Sequence, residues 1–174
     1  MNIDTVAETD LSAAHEAEIA ALLARCFATD FGGRSFYQQR HHLRFMARDP
    51  VLVGHVALTL RAIRIGEVLT DIAGLAEVAT DPVHRGKGIA AALVGAAIAQ
   101  ARASRAAHLM LFGEAGVYAA AGFRPAHNPM RWIDLTGARM GAVCSERATH
   151  LMVLPLRDQP WDPAAPLDLL GNLF

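Results

Sequence analysis

Apolar residues recur at helical spacing over residues 11–28, where Ile19, Leu22, Leu23, Cys26 and Phe27 form one stripe. Ser12 stands where an N-cap belongs. Before it, residues 3–6 read as a short first strand. Phe31-Gly32-Gly33 breaks the pattern. A second helix is expected over residues 35–48, closed by Asp49-Pro50, with Arg40, Arg44 and Arg48 as a solvated basic stripe and the adjacent His41 and His42 on different faces. Residues 51–65 and 68–80 look like strands separated by Gly66, which predicts a hairpin. A helix follows over 88–104, a short buried strand over 107–112, and a short helix over 114–121 capped by Gly122. The chain then returns to extended form at Phe123, with late strands at 130–135 and 149–156. The tail from Pro160 is proline-rich but carries Trp161, Leu167, Leu169, Leu170 and Phe174, so it reads as a packed extension. This order of helices, antiparallel hairpin, crossover helix and further strands predicts a mixed α/β (α+β) sheet in one domain, residues 1–174.

Composition narrows the function classes. The chain has 174 residues, 53% hydrophobic and 19% charged, with a net charge of −1. That is a globular composition, and a general nucleic-acid binder would be more basic. Two cysteines, Cys26 and Cys144, form no C-x-x-C motif. The polar, acidic start lacks the pattern of a signal peptide, and the longest weakly polar run is too short to span a bilayer. The expectation is a cytoplasmic protein without a membrane role. No H-x-x-x-H pair stands among the eight histidines, so no metal is expected.

The candidate chemistry sits at Val78-Ala79-Thr80-Asp81-Pro82-Val83-His84-Arg85-Gly86-Lys87-Gly88-Ile89-Ala90. A P-loop needs G-x-x-x-x-G-K-[ST], but Gly88 follows Lys87 and Asp81 stands at the first glycine's place. A dinucleotide fingerprint fits Gly86-x-Gly88-x-x-Ala91 only loosely. Five residues separate strand from glycines, and no acid follows at ribose-binding distance. A third reading fits better. Glycines let backbone N–H groups approach an anion, a helix start adds partial positive charge, and Arg85 and Lys87 add formal charge suited to a diphosphate.

Arg85-x-x-Gly88-x-Ala90 after a strand resembles the acetyl-CoA motif of the GNAT superfamily of N-acetyltransferases. Tyr118-Ala-Ala-Ala-Gly122-Phe123, about 30 residues on, resembles its later Y-x-x-x-G-F segment. Scattered short matches also resemble aminoglycoside 2'-N-acetyltransferases and the rhizobial nodulation N-acyltransferase. The resemblance implies a mostly antiparallel central sheet flanked by helices, with a V-shaped cleft. The cofactor-binding core would span about 51–125 and the acceptor-side tail about 149–174. It implies acetyl-CoA bound by Val78, Ala79, Thr80, Arg85, Gly86, Lys87, Gly88, Ile89, Ala90 and Tyr118, and acetyl transfer to a small-molecule amine, an amino sugar or aminoglycoside being the first choice. Tyr118 would be the general acid. Glu77 is the candidate base, although strand alternation turns it away from the neighbouring Ala76 unless a β-bulge re-aims it; Asp71 and His55 are the fallbacks. Asp30, Asp168 and Phe174 would touch the substrate. A longer acyl donor and a non-catalytic acyl-CoA sensor are the alternatives. The sequence fixes no oligomeric state, and a homodimer stays open.

Overall fold

The computed structural model describes residues 2–114 and 116–174. Among them, strand β1 (Asn2–Ala7) precedes helix α1 (Ala13–Cys26), and β2 (Leu43–Asp49), β3 (Val51–Ile65) and β4 (Val68–Thr80) follow. Helix α2 (Ile89–Ala103) crosses over to β5 (His108–Phe112), and α3 (Gly116–Ala120) leads to β6 (Arg124–Ala126). The chain ends with β7 (Pro129–Ile133), β8 (Val143–Arg147), β9 (Leu151–Pro155) and β10 (Leu167–Asp168). Of the helix expected over 114–121, Ala115 lies outside the described residues.

Ser12 caps α1 as its position suggests. Its hydroxyl accepts the His15 N–H at 3.2 Å, and the His15 ring returns a contact to the Ser12 N–H. The strands form one curled mixed sheet in the order β6-β9-β5-β4-β3-β10-β7-β8, with β1 and β2 branching from β3. Strand β3 is long enough to hold two neighbours on one edge. Residues 51–58 pair with β2, and Arg64 and Ile65 pair with β10. Strands β4 and β5 run parallel from Ile72–His108 to Leu75–Leu111, and their pairing stops there.

Helices cover both faces of the sheet. Leu93, Val94, Ala97 and Ala101 of α2 join Phe45, Ala47, Val53 and Leu75 in one core. Ile19, Leu22 and Leu23 of α1 join Met46 and Leu52 in another. Neighbouring residues of β2 thus serve opposite helices, as pleating requires. Gly54 brings α2 close to β3, since a Cβ there would stand 2.6 Å from the Ile89 methyl.

The second predicted helix does not exist. Residues 35–42 are irregular and Leu43–Asp49 is strand. Four consecutive residues of β2 are buried, so no polar–apolar alternation marked it, while arginines at four-residue intervals imitated a helix face. Nor are those arginines a solvated stripe. Arg44 is wholly buried, Arg40 pairs with Glu8 and Glu16, and Arg48 pairs with Glu18. In the tail Leu169 is buried as expected, but Leu170 is 53% exposed.

Candidate active site

The turn after β4 is built to present main-chain N–H groups. The Asp81 carboxylate accepts the Val83 N–H at 3.1 Å and an Arg25 guanidinium contact at 2.9 Å, which fixes the exit from the strand. Gly86 and Gly88 both have φ of +76°. A Cβ at either would meet nothing within 4 Å, so it is the left-handed backbone and not space that calls for glycine. Gly88 is the N-cap of α2 and no side chain caps the helix. Its first N–H groups, those of Ile89 and Ala90 among them, are left for an external acceptor. Arg85 and Lys87 are exposed beside them, and the Thr80 hydroxyl at the end of β4 is buried without a partner. The whole arrangement fits a diphosphate anion.

Four residues upstream, β4 carries a bulge. His55 faces Ala79 and Ala57 faces Ala76, so Val56 alone opposes Glu77 and Val78. Glu77 has φ of +54°, a left-handed conformation rarely held by a non-glycine residue. The bulge begins where β4 and β5 cease to pair, and it splays them. The His55 ring stands 3.0 Å from the Glu77 carbonyl through Nδ1. A carbonyl only accepts, so Nδ1 carries the proton and Nε2, 3.4 Å from an Arg44 nitrogen, is the acceptor. Burial is the main reason that the His55 pKa falls to about 4, which keeps the ring neutral.

The Glu77 side chain is 6% exposed. It accepts the Tyr37 N–H at 2.7 Å and an Arg44 N–H at 2.9 Å. His41 Nε2 lies 3.1 Å from the same carboxylate but is poorly aligned for a hydrogen bond. Burial alone would raise the Glu77 pKa; His41, His55 and Arg44 outweigh it and hold the carboxyl below the ordinary range.

Two cavities meet at this bulge. One, of about 410 Å³, is walled by the end of α1, residues 37–42 and the tail. The other, of about 390 Å³, lies between the parted ends of β4 and β5 and against α3. Phe27, Ala76, Glu77, Phe112 and Phe174 line both. Tyr118 of α3 lines the second cavity, and burial raises the pKa of its phenol.

The structure distributes the sequence candidates unevenly. Glu77, Val78, Tyr118 and Phe174 converge on the cavities. Ala79 packs in the α1 core. Asp30 accepts the Gly32 N–H and Asp168 accepts the Leu170 N–H; neither lines a cavity. Asp71 pairs with Arg105 away from the junction, and His55 is fully buried. His41, Arg61, Tyr37 and Phe27 line the site without having been singled out for it. They come from segments distant in sequence, and no local spacing links them. Among the described residues no group of three His, Cys, Asp or Glu side chains is placed to hold a metal ion, and no helix is long and apolar enough to cross a membrane.

The acetyltransferase (GNAT) domain family matches residues 9–126, more than half of the chain. The chain belongs to this family. Fold and family together define an acyl-CoA-dependent N-acetyltransferase. Among solved structures, the Escherichia coli GNAT family N-acetyltransferase YhbS in complex with CoA is similar at a TM-score of 0.63 and 21% identity, over 97% of this chain and 88% of that one. A Brucella melitensis GNAT family acetyltransferase in complex with acetyl-CoA is similar at a TM-score of 0.60 and 19% identity, over 95% and 94%. The Escherichia coli ribosomal-protein-S18-alanine N-acetyltransferase reaches 0.59 and 18%, over 92% and 100%. No curated protein sequence is significantly similar to this one.

Proposed function

We propose that the chain moves an acetyl group from acetyl-CoA to the primary amine of a small molecule by direct attack. One observation carries the reading: two cavities that share the wall of Phe27, Ala76, Glu77, Phe112 and Phe174 meet at a strand bulge downstream of which lies an uncapped, glycine-led helix start. The diphosphate of acetyl-CoA sits against the N–H groups of Gly86–Ala90, with Arg85 and Lys87 beside it. The pantetheine arm follows Val78–Thr80 into the splay between β4 and β5, pairing with the strand as an added edge. The amine enters through the larger cavity.

In the reaction the amine nitrogen bonds to the acetyl carbon and the carbon–sulfur bond breaks. One proton leaves the nitrogen and one reaches the departing sulfur. Tyr118 supplies the second: its phenol, kept protonated by burial, lines the thiol-side cavity. Glu77 stands on the amine side. Its surrounding donors make it a weak base alone, so it takes the amine's proton together with the adjacent His41, whose Nε2 lies 3.1 Å from the carboxylate. An amine with a pKa near 8 is already about one-tenth neutral at pH 7, which limits what this pair must do. A main-chain N–H of Val78–Thr80 receives the oxyanion.

Two measurements test the reading. Acetyl-CoA at about 100 times its dissociation constant adds roughly 2.7 kcal/mol, a rise in melting temperature of about 5–10 °C for a chain of this size. Thiol release with an amine panel then reports transfer. A melting temperature unmoved by saturating acetyl-CoA refutes the proposal. A shift without thiol release from any amine favours an acyl-CoA sensor, and a preference for long-chain donors favours the longer acyl group.

A further inference from the structure

The charges around the larger cavity are unevenly matched. Three formally charged side chains line it: Arg40, Arg61 and Glu77. Arg40 is paired with Glu8 and Glu16, and Glu77 is paired with Arg44. Arg61 makes no ion pair among the described residues. Its guanidinium is aimed by the tail instead, donating to the Asn172 carbonyl at 2.7 Å and to the Leu169 carbonyl at 2.7 Å. It also lies 5.7 Å from the centre of the Phe174 ring. Two neutral carbonyls orient a guanidinium without neutralising it. A half-buried, oriented cation facing a cavity leaves its charge for an anion.

The remaining walls describe the rest of the ligand. Phe27, Phe31, Tyr37 and Phe112 give the cavity an aromatic body. Gln38 Oε1 is buried without a partner and is placed to accept an N–H. The volume of about 410 Å³ suits a small molecule. A polycation would meet Arg61 there, while the Asp30 and Asp168 side chains turn their carboxylates to their own loops.

We infer that the acceptor is a small amine carrying a carboxylate and an apolar body, an amino-acid-like molecule whose carboxylate is held by Arg61. This rests on the acetyltransferase reading and narrows its substrate class away from amino sugars and aminoglycosides. The carboxylate takes no part in the chemistry. It docks the molecule so that its nitrogen reaches the junction at Glu77.

The test compares phenylalanine, phenylalaninamide, phenethylamine and kanamycin as acceptors by thiol release, in wild type, Arg61→Gln and Arg61→Lys. The quantity read is kcat/KM for phenylalanine divided by that for its amide. Comparing this ratio between enzymes cancels the different basicities of the two amines. The ratio is expected to fall about 10- to 100-fold in Arg61→Gln, the range for losing hydrogen bonds to a charged group, and to recover in part in Arg61→Lys. Were Arg61 only a brace for the tail, acid and amide would lose activity together and the ratio would hold, which overturns the inference. Kanamycin as the best acceptor overturns it too, as does a lack of thiol release from any common amino acid while acetyl-CoA still raises the melting temperature. Loss of that thermal shift in wild type would instead overturn the acetyltransferase reading beneath it.

Discussion

Arg44→Met puts the buried charge network to the test. Arg44 has a side chain with no exposed surface, and it bridges Glu8 at 2.7 Å and Glu77 at 2.9 Å, whose side chains are 12% and 6% exposed. It also donates to the Ser35 carbonyl, tying the irregular 35–42 segment to the sheet. Methionine fills much of the space but leaves the Glu77 carboxylate without an arginine and Glu8 with Arg40 alone. Removing one partner of a buried ion pair costs about 3–5 kcal/mol, which for this chain length is a fall in melting temperature of about 6–20 °C. The pH dependence has a definite sign. Burial would raise the pKa of Glu8, but Arg44 and Arg40 hold it below the ordinary value of 4.5, and Glu77 is held low as well. Groups with lowered folded pKa values stabilise fully above the unfolded value, and that contribution is lost as pH falls through the folded value. The gap between wild type and variant is therefore widest near pH 7 and narrows below about pH 4.5. Denaturant unfolding at pH 7.5, 5.0 and 3.5 measures it. Adding Glu8→Gln and Glu77→Gln to Arg44→Met should restore much of the loss. A penalty below about 1 kcal/mol at pH 7.5, or one of the same size at all three pH values, would refute the reasoning.

Three further outcomes are expected. Tyr118→Phe should lower turnover about 10²–10⁴-fold while leaving the acetyl-CoA thermal shift intact; a change confined to cofactor affinity would remove Tyr118 from the acid role. His55 is held neutral with a pKa near 4 against an ordinary 6.5, so it costs stability as pH falls from about 6.5 toward 4. His55→Asn should flatten the stability curve in that window by up to roughly 1.4 kcal/mol per pH unit, and an unchanged slope counts against a neutral buried ring. Gly74→Ala would place a Cβ 2.5 Å from the Phe174 ring. It should cost about 1–3 kcal/mol by overpacking but almost nothing in a Phe174→Ala background, as a double-mutant cycle can establish.

The parts of the fold that announce themselves by local chemistry were legible. Ser12 before an apolar stripe marked α1, Gly66 marked the hairpin, and Gly86 and Gly88 after Pro82 marked the uncapped start of α2. The parity conflict between Ala76 and Glu77 foreshadowed a bulge, because strand alternation alone could not bring Glu77 to the cleft. What stayed hidden depends on partners far along the chain. Residues 35–48 carry arginines at helical spacing, yet Arg44 is bound by Glu8 and Glu77, and tertiary pairing overrode the local signal. Strand β10 is only two residues long and exists because β3 and β7 flank it. Strand β8 is mostly exposed and polar, so it gave no hydrophobic period. The site suffered likewise: His41 and Arg61 gain meaning only beside Glu77 and the tail.

The insertion of β10 between β3 and β7 also bears on how the molecule is made. Arg61 grips the carbonyl of a residue 111 positions later. Until that segment has left the ribosome, β3 and β7 carry open edges and the larger cavity lacks a wall. Such distant closure is slow, because loop entropy must be spent before the contact returns anything. The α2 half of the sheet therefore closes over short separations early, while the larger cavity waits for a wall that lies 111 residues beyond the arginine that grips it.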